Sequence, residues 1–279
     1  MTAPTGTVEA DRALKAKHRA MWAMGNYPAV AADLVPSLGP ILVDAAGIGP
    51  GQRVLDVGAG TGNASIPAAL AGAAVTASDL TEEFFDPGRR LAADQGATLD
   101  WRQADAEALP FADNEFDTVM SCIGVMFAPH HQASADELIR VCRPGGTIAL
   151  LSWTPNGFIG ELFAAMRPYA PPPPPGAQPP PLWGNEEHVR ELLGDRVVDV
   201  VTRRQTLTID QFQRPEDFRD YFKATYGPTI VAYKNIADDA ERVAALDRDI
   251  ADLAKRFDRG GDSTVMDWEY LIFTARKRG

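Results

Sequence analysis

The sequence predicts an α/β fold built on a doubly wound, mostly parallel sheet, and three observations carry that expectation. Between residues 52 and 153 short apolar runs alternate with helix-like segments, the pattern of a parallel sheet covered by helices on both faces. The first run, Val54-Leu55-Asp56-Val57, leads directly into Gly58-Ala59-Gly60-Thr61-Gly62-Asn63, a glycine turn between a strand and a helix start. The second run ends in Asp79, at the carboxyl edge of the sheet, where ligands of such folds bind.

Composition fits one soluble globular protein. The chain has 279 residues, 45% hydrophobic and 23% charged, enough for a large α/β domain with insertions. A formal net charge of −11 repels phosphate backbones and argues against nucleic-acid substrates. Two cysteines, Cys122 and Cys142, suggest neither a disulfide framework nor a metal site. The first ten residues lack the charged-then-apolar pattern of a secretory signal, and no apolar run approaches a membrane span. A cytoplasmic protein is expected.

In chain order, residues 1–10 are small and polar and read as a frayed lead-in. Residues 11–24 have helical spacing, and Gly25-Asn26-Tyr27-Pro28 breaks it. A second helix is expected over 29–46, interrupted near Pro36. Core strands follow at 54–57, 74–78, 99–103, 118–123 and 147–153. Helices are expected at 65–71, 82–94 (with Thr81 as cap) and 134–141, and Arg143-Pro144-Gly145-Gly146 reads as a tight turn. Beyond Trp153 the rhythm changes. A helix is expected over 157–169, a stiff proline-rich connection over 171–181, and a helix capped by Asn185. A strand at 197–208, a mainly helical stretch at 210–258 and a last strand at 265–275 complete seven strands. The expected organisation is a helical lid over 1–50 and a ligand-binding domain over 51–279, with pocket-shaping insertions at 156–194 and 210–261.

The glycine turn reads Gly-x-Gly-x-Gly. It is neither the Gly-x-Gly-x-x-Gly of a dinucleotide site nor a P-loop, since no Lys-Ser/Thr follows. Glycine lets the backbone approach a ligand closely, and a helix starting near Asn63 points free N–H groups at it. Asp56, just before the glycines, suits a ligand with a cationic end. Asp79, roughly 20 residues on, is placed to accept both hydroxyls of a ribose; the alternative is a helix-cap aspartate.

These features resemble the first motifs of the class I S-adenosylmethionine (SAM) methyltransferases. Asp105-Ala106-Glu107-Ala108-Leu109-Pro110-Phe111 is similar to a segment of the small-molecule members, including the quinone C-methyltransferase group, and the resemblance covers residues 52–153. It implies a Rossmann-like seven-stranded sheet with the last strand antiparallel. It implies that Asp56 and the loop of Gly58, Ala59 and Gly60, with Asn63, hold the methionine end. Asp79 and Leu80 would lie at the ribose, and Asp105 and the Ala106 N–H at the adenine. Backbone groups of Cys122 or Ile123 would touch the methionine end. Cys122 as a nucleophile is the alternative to a small buried residue. His130 and His131 are general-base candidates on a loop after the fourth strand, the alternative being a solvated or capping role. Trp22 and Tyr27 belong either to ordinary helix packing or to a lid facing the sulfonium.

The resulting expectation is an enzyme that moves a methyl group from SAM to a small, partly apolar organic acceptor, releasing S-adenosylhomocysteine. Positioning is worth up to about 7–11 kcal/mol and a general base about 3–5 kcal/mol, so positioning is expected to dominate and the absence of an obvious base is no objection. The rival readings are a protein of this fold that binds SAM but catalyses another reaction, such as a cyclisation, and a binding protein without catalysis.

Overall fold

Alternating strands and helices build the sheet that the pattern predicts. The computed structural model describes the chain from Thr5 to Gly279. Three helices come first: α1 (Thr5–Met24), α2 (Tyr27–Asp33) and α3 (Leu38–Ala46). The expected frayed lead-in is helical from Thr5 on, and its first four residues lie outside the described part. Asn26 ends the break after α1 by capping α2, its side chain accepting the Ala29 N–H. The expected interruption near Pro36 separates α2 from α3.

The sheet then forms from β1 (Arg53–Val57), β2 (Ala74–Asp79), β3 (Asp100–Gln103), β4 (Phe116–Cys122) and β5 (Cys142–Trp153), with α4 (Ser65–Leu70), α5 (Phe85–Asp94) and α6 (His131–Val141) as crossovers. The turn expected at residues 143–146 falls inside the bounds of β5 and keeps a turn-like backbone: the ladder with β4 passes from Cys142 directly to Thr147, and Gly145 is left-handed at φ 69°. Cys142 pairs with Phe116, and a register shift between Phe116 and Thr118 absorbs the irregular backbone. α7 (Phe158–Met166) and α8 (Glu186–Leu193) precede β6 (Val197–Phe212). Then α9 (Pro215–Thr225), α10 (Gly227–Asn235) and α11 (Ala240–Phe257) lead to β7 (Thr264–Lys277). Asn185 caps α8 as expected, accepting the His188 N–H.

The strand order is β3-β2-β1-β4-β5-β7-β6. β7 runs antiparallel to both β5 and β6, and the other six strands share one direction. The order reverses between β1 and β4, so the carboxyl ends of β1, β2 and β4 border a crevice. Central strands are apolar on both faces, as a doubly covered sheet requires: Val54, Leu55, Val119, Met120, Ile148 and Leu151 are all fully buried.

The same apolar core continues under α7, α9 and α11. Phe158 stacks on Trp268 at 5.3 Å and meets Phe218 edge-on at 5.0 Å. Of the aromatics in the two insertions, Phe158, Trp183, Phe218 and Phe222 are therefore core. No single helix among the described residues is long and apolar enough to cross a membrane.

One close contact carries the fold to the site. A Cβ on Gly39 of α3 would lie 1.8 Å from the Asn63 carbonyl oxygen, so α3 packs backbone to backbone against the exit of the glycine loop. Gly39→Ala is expected to destabilise the protein by about 3 kcal/mol. Gly49→Ala, where nothing lies within 4 Å, should change little; urea unfolding of the two variants checks this.

Candidate cofactor and acceptor site

The glycine loop takes its shape from three left-handed residues, Gly58, Gly60 and Gly62 (φ 71°, 56° and 91°), which side-chain-bearing residues rarely adopt. The end of β2 pins it. The Ser78 carbonyl accepts the N–H groups of Gly58 and Ala59, both at 2.9 Å. The Asp79 carboxylate accepts the N–H of Gly60 on one oxygen and of Thr81 on the other, both at 2.8 Å. Thr81 therefore contributes its backbone, and its side chain makes no cap bond. A Cβ on Gly58 would lie 2.7 Å from Gly124 Cα, so the loops after β1 and β4 touch backbone to backbone. Beside them Ile123 sits at φ 69°. That is an uncommon conformation for a β-branched residue, held by its N–H on the Leu151 carbonyl at 2.7 Å.

A cleft of about 710 Å³, counted to its open mouth, lies over these loops. It is lined by Asp79, Leu80 and Phe84 after β2, by Asp105 and Ala106 after β3, and by Gly124 and Phe127 after β4. Lys15, His18 and Trp22 of α1 cover it, with Tyr27. A smaller cavity continues past Tyr27 and is lined by Asp56, Ala59, Asn63, Cys122 and Ile123. Of the expected site residues, those from Trp22 to Ile123 thus meet in two adjoining spaces. Asn63 also donates its side-chain N–H to the Val35 carbonyl at 3.0 Å, tying the loop to the turn before α3.

Asp56 is 1% exposed. One oxygen accepts the Ser65 hydroxyl at 2.6 Å, and the other has no partner among the described residues. Burial pushes its carboxyl up to about 7, partly offset by Ser65 and reinforced by the charge of Asp79. Asp79 is raised too, by burial against its backbone hydrogen bonds. The Cys122 thiol is pushed well above its usual range by burial and by Asp56, so it is no nucleophile at neutral pH. Tyr27 and Tyr226 are likewise raised by burial. Trp22 packs on Phe127 at 4.6 Å, Tyr27 at 5.4 Å and Tyr226 at 5.8 Å, closing one end of the cleft with aromatic rings.

The two histidines do not line the cleft. His130 gives its backbone N–H and Nδ1 to Glu107, at 2.7 and 2.9 Å. His131 is fully buried on the other side of α6, 3.0 Å from His188 and 5.4 Å from the Trp183 ring. Burial, then the neighbouring His188, lowers its pKa to about 4. The residues that sequence reasoning passed over are Lys15 and His18. With Trp22 they share one face of α1 at i, i+3 and i+7, a spacing that was there to read. Burial, then Lys15, lowers the pKa of His18 below its usual range.

A seven-stranded sheet with one reversed strand, a glycine loop at its switch point and three acidic strand ends defines a class. The chain is a class I SAM-dependent methyltransferase. Residues 54–146 match a family model described as a methyltransferase domain. The protein is 55% identical over 277 residues to an uncharacterised protein of Mycobacterium tuberculosis, covering 99% of this chain and all of that one. It is 41% identical over 118 residues, 42% of this chain and 48% of that one, to a demethylmenaquinone methyltransferase of Renibacterium salmoninarum. A putative methyltransferase structure from Bacillus halodurans shares the fold at TM-score 0.56 and 20% identity, over 86% of this chain and 99% of that one.

The Asp56 environment has a thermodynamic consequence. A carboxyl raised in the folded state favours the protonated form, so its contribution to stability is complete below about pH 4 and is lost as pH rises through about 7. The loss is on the order of 4 kcal/mol at most. Asp56→Asn removes it, so the variant should lose less stability between pH 5 and pH 8 than the parent. Urea midpoints at the two pH values, equal in their shift for both proteins, would refute the assignment.

Proposed function

We propose that this protein transfers a methyl group from SAM to a small, partly apolar organic acceptor. The observation that carries the reading is Asp56: a buried carboxylate oxygen with no partner among the described residues, on a residue that lines a small cavity beyond the glycine loop. A cationic ligand end satisfies it, as the ammonium of the methionine moiety would, and a phosphate would not.

The other residues fit the remaining parts of the cofactor. Asp79 accepts one backbone N–H on each oxygen and keeps lone pairs for two ribose hydroxyls, beside Leu80. Asp105 and the Ala106 N–H suit the adenine edge. Trp22 and Tyr27 supply aromatic faces for a positive charge at the join of the two cavities. The cofactor supplies an activated methyl group.

What the chain supplies is placement. Trp22, Phe127, Phe163 and Tyr226 pack together where α1 meets the second insertion, and these faces favour a flat or apolar acceptor over a charged one. Tyr27, Tyr226 and Cys122 all stay protonated at neutral pH, so none of them serves as a base. His130 is occupied by Glu107. His18, which covers the cleft with its pKa lowered, is the imidazole placed there to take a proton, and orientation and exclusion of water by α1 carry most of the rate enhancement that the chain provides. The aromatic end and the partial relatedness to a quinone-methylating enzyme support the acceptor class.

SAM and S-adenosylhomocysteine should raise the melting temperature, by about 2.7 kcal/mol of stability at one hundred times the dissociation constant, while NAD and ATP should not. Stabilisation by NAD alone would sink the reading. Asp79→Ala should weaken S-adenosylhomocysteine binding by about 1.5–3 kcal/mol; isothermal titration of the folded variant measures it.

A further inference from the structure

Lys15 is out of place by ordinary standards. It stands on α1, outside the sheet, yet is only 8% exposed, and buried lysines persist only when paired. Its ammonium pairs with Glu107 and lies 3.1 Å from Asp105 Oδ1, with Asp11 at 4.0 Å one turn earlier. Burial opposes ionisation of Glu107, but the hydrogen bonds from Lys15 and His130 outweigh it and hold that carboxyl below its usual range. Lys15 thus closes a buried charge cluster that joins α1 to the loop after β3.

The geometry at Asp105 is one-sided. Both donors that reach it, Lys15 Nζ and the Glu107 N–H at 3.0 Å, end on Oδ1. None of the hydrogen bonds among the described residues ends on Oδ2. Asp105 and Lys15 both line the cleft. Two donors on one oxygen stop the carboxylate from turning and leave the other oxygen as an open acceptor.

We propose that Lys15 is a positioning residue for nucleobase recognition. By holding Asp105 Oδ1 it presents Oδ2 to an amino group, so that the cleft selects a 6-aminopurine over a purine with a carbonyl at that position. A carbonyl there would face a carboxylate oxygen, acceptor against acceptor, and a site built for a donor rejects a ligand that lacks it. The inference rests on the proposed placement of the adenine end at Asp105. Its consequence is that α1 completes base recognition, so that covering the cleft and reading the cofactor are one event.

The test compares two ligands in one preparation. S-adenosylhomocysteine and S-inosylhomocysteine are titrated calorimetrically into the full chain, the variants Lys15→Met and Lys15→Gln, and the control Lys17→Met at an exposed position of the same helix. The parent and Lys17→Met should prefer the adenosyl ligand, and both Lys15 variants should lose about tenfold of that preference, mainly through weaker adenosyl binding. An unfolded fraction changes the stoichiometry and not the ratio of affinities. If both ligands weaken equally in the Lys15 variants, Lys15 only anchors the helix and the proposal is overturned, while the cofactor reading stands. A parent protein that binds neither ligand overturns both.

Discussion

One carboxylate holds the site together. Asp79 receives the N–H of Gly60 and the N–H of Thr81, and its own carbonyl receives the N–H of Ala104. The loops after β1, β2 and β3 are thereby fixed to a single residue. Backbone groups at strand ends have no ladder partners and must find others when buried; here they converge on Asp79 and on the Ser78 carbonyl. With the glycine loop fixed, Gly58 and Gly124 come into backbone contact and Tyr27 comes to rest 3.5 Å from where a Cβ on Gly60 would stand. A side chain at Gly58 or Gly124 would displace the other, both of which line the cleft, while at Gly60 the left-handed backbone is the constraint.

The same concentration of acceptors leaves the cleft short of positive charge. Asp56 and Asp79 are both raised by burial, and the charge of Asp79 adds to the shift at Asp56. A buried and a half-buried carboxylate beside one glycine loop are unfavourable in isolation. The protein offsets this with Ser65 and backbone donors, but leaves one Asp56 oxygen unsatisfied. At the other end cations stand beside the acids: Lys15 serves Asp105 Oδ1 and Glu107, and Arg19 serves Glu82 and Glu83, while Asp105 keeps Oδ2 open among the described residues. α1 is thus fastened by charge on both walls of the cleft and by Trp22 among aromatics at its end. The asymmetry, with protein cations at one end and, among the described residues, none beside Asp56 at the other, is what a ligand with a cationic tail would complete.

The sequence by itself determined the sheet and the loop chemistry. Apolar runs at 54–57, 74–78 and 118–123 can only be buried strands, and glycine at 58, 60 and 62 supplies backbone conformations that other residues resist, so the strand-loop-helix unit and the two aspartates at strand ends were legible from local pattern. Caps were legible for the same reason, as at Asn185. Local pattern failed where the decision lay with partners distant in the chain. Residues 143–146, with proline and two glycines, were legible as a turn, but that the turn is a bulge inside β5, between the pairs Cys142–Phe116 and Thr147–Thr118, was decided by β4. His130 and His131 are adjacent in sequence and equal in chemistry, yet one meets Glu107 and the other is buried against His188, because successive residues entering a helix point about 100° apart. Lys15 reads as a solvated helix lysine until the loop after β3 folds beneath it. Which aromatic residues form core and which line the cleft was likewise settled only by packing, since burial depends on what the rest of the chain brings to each face.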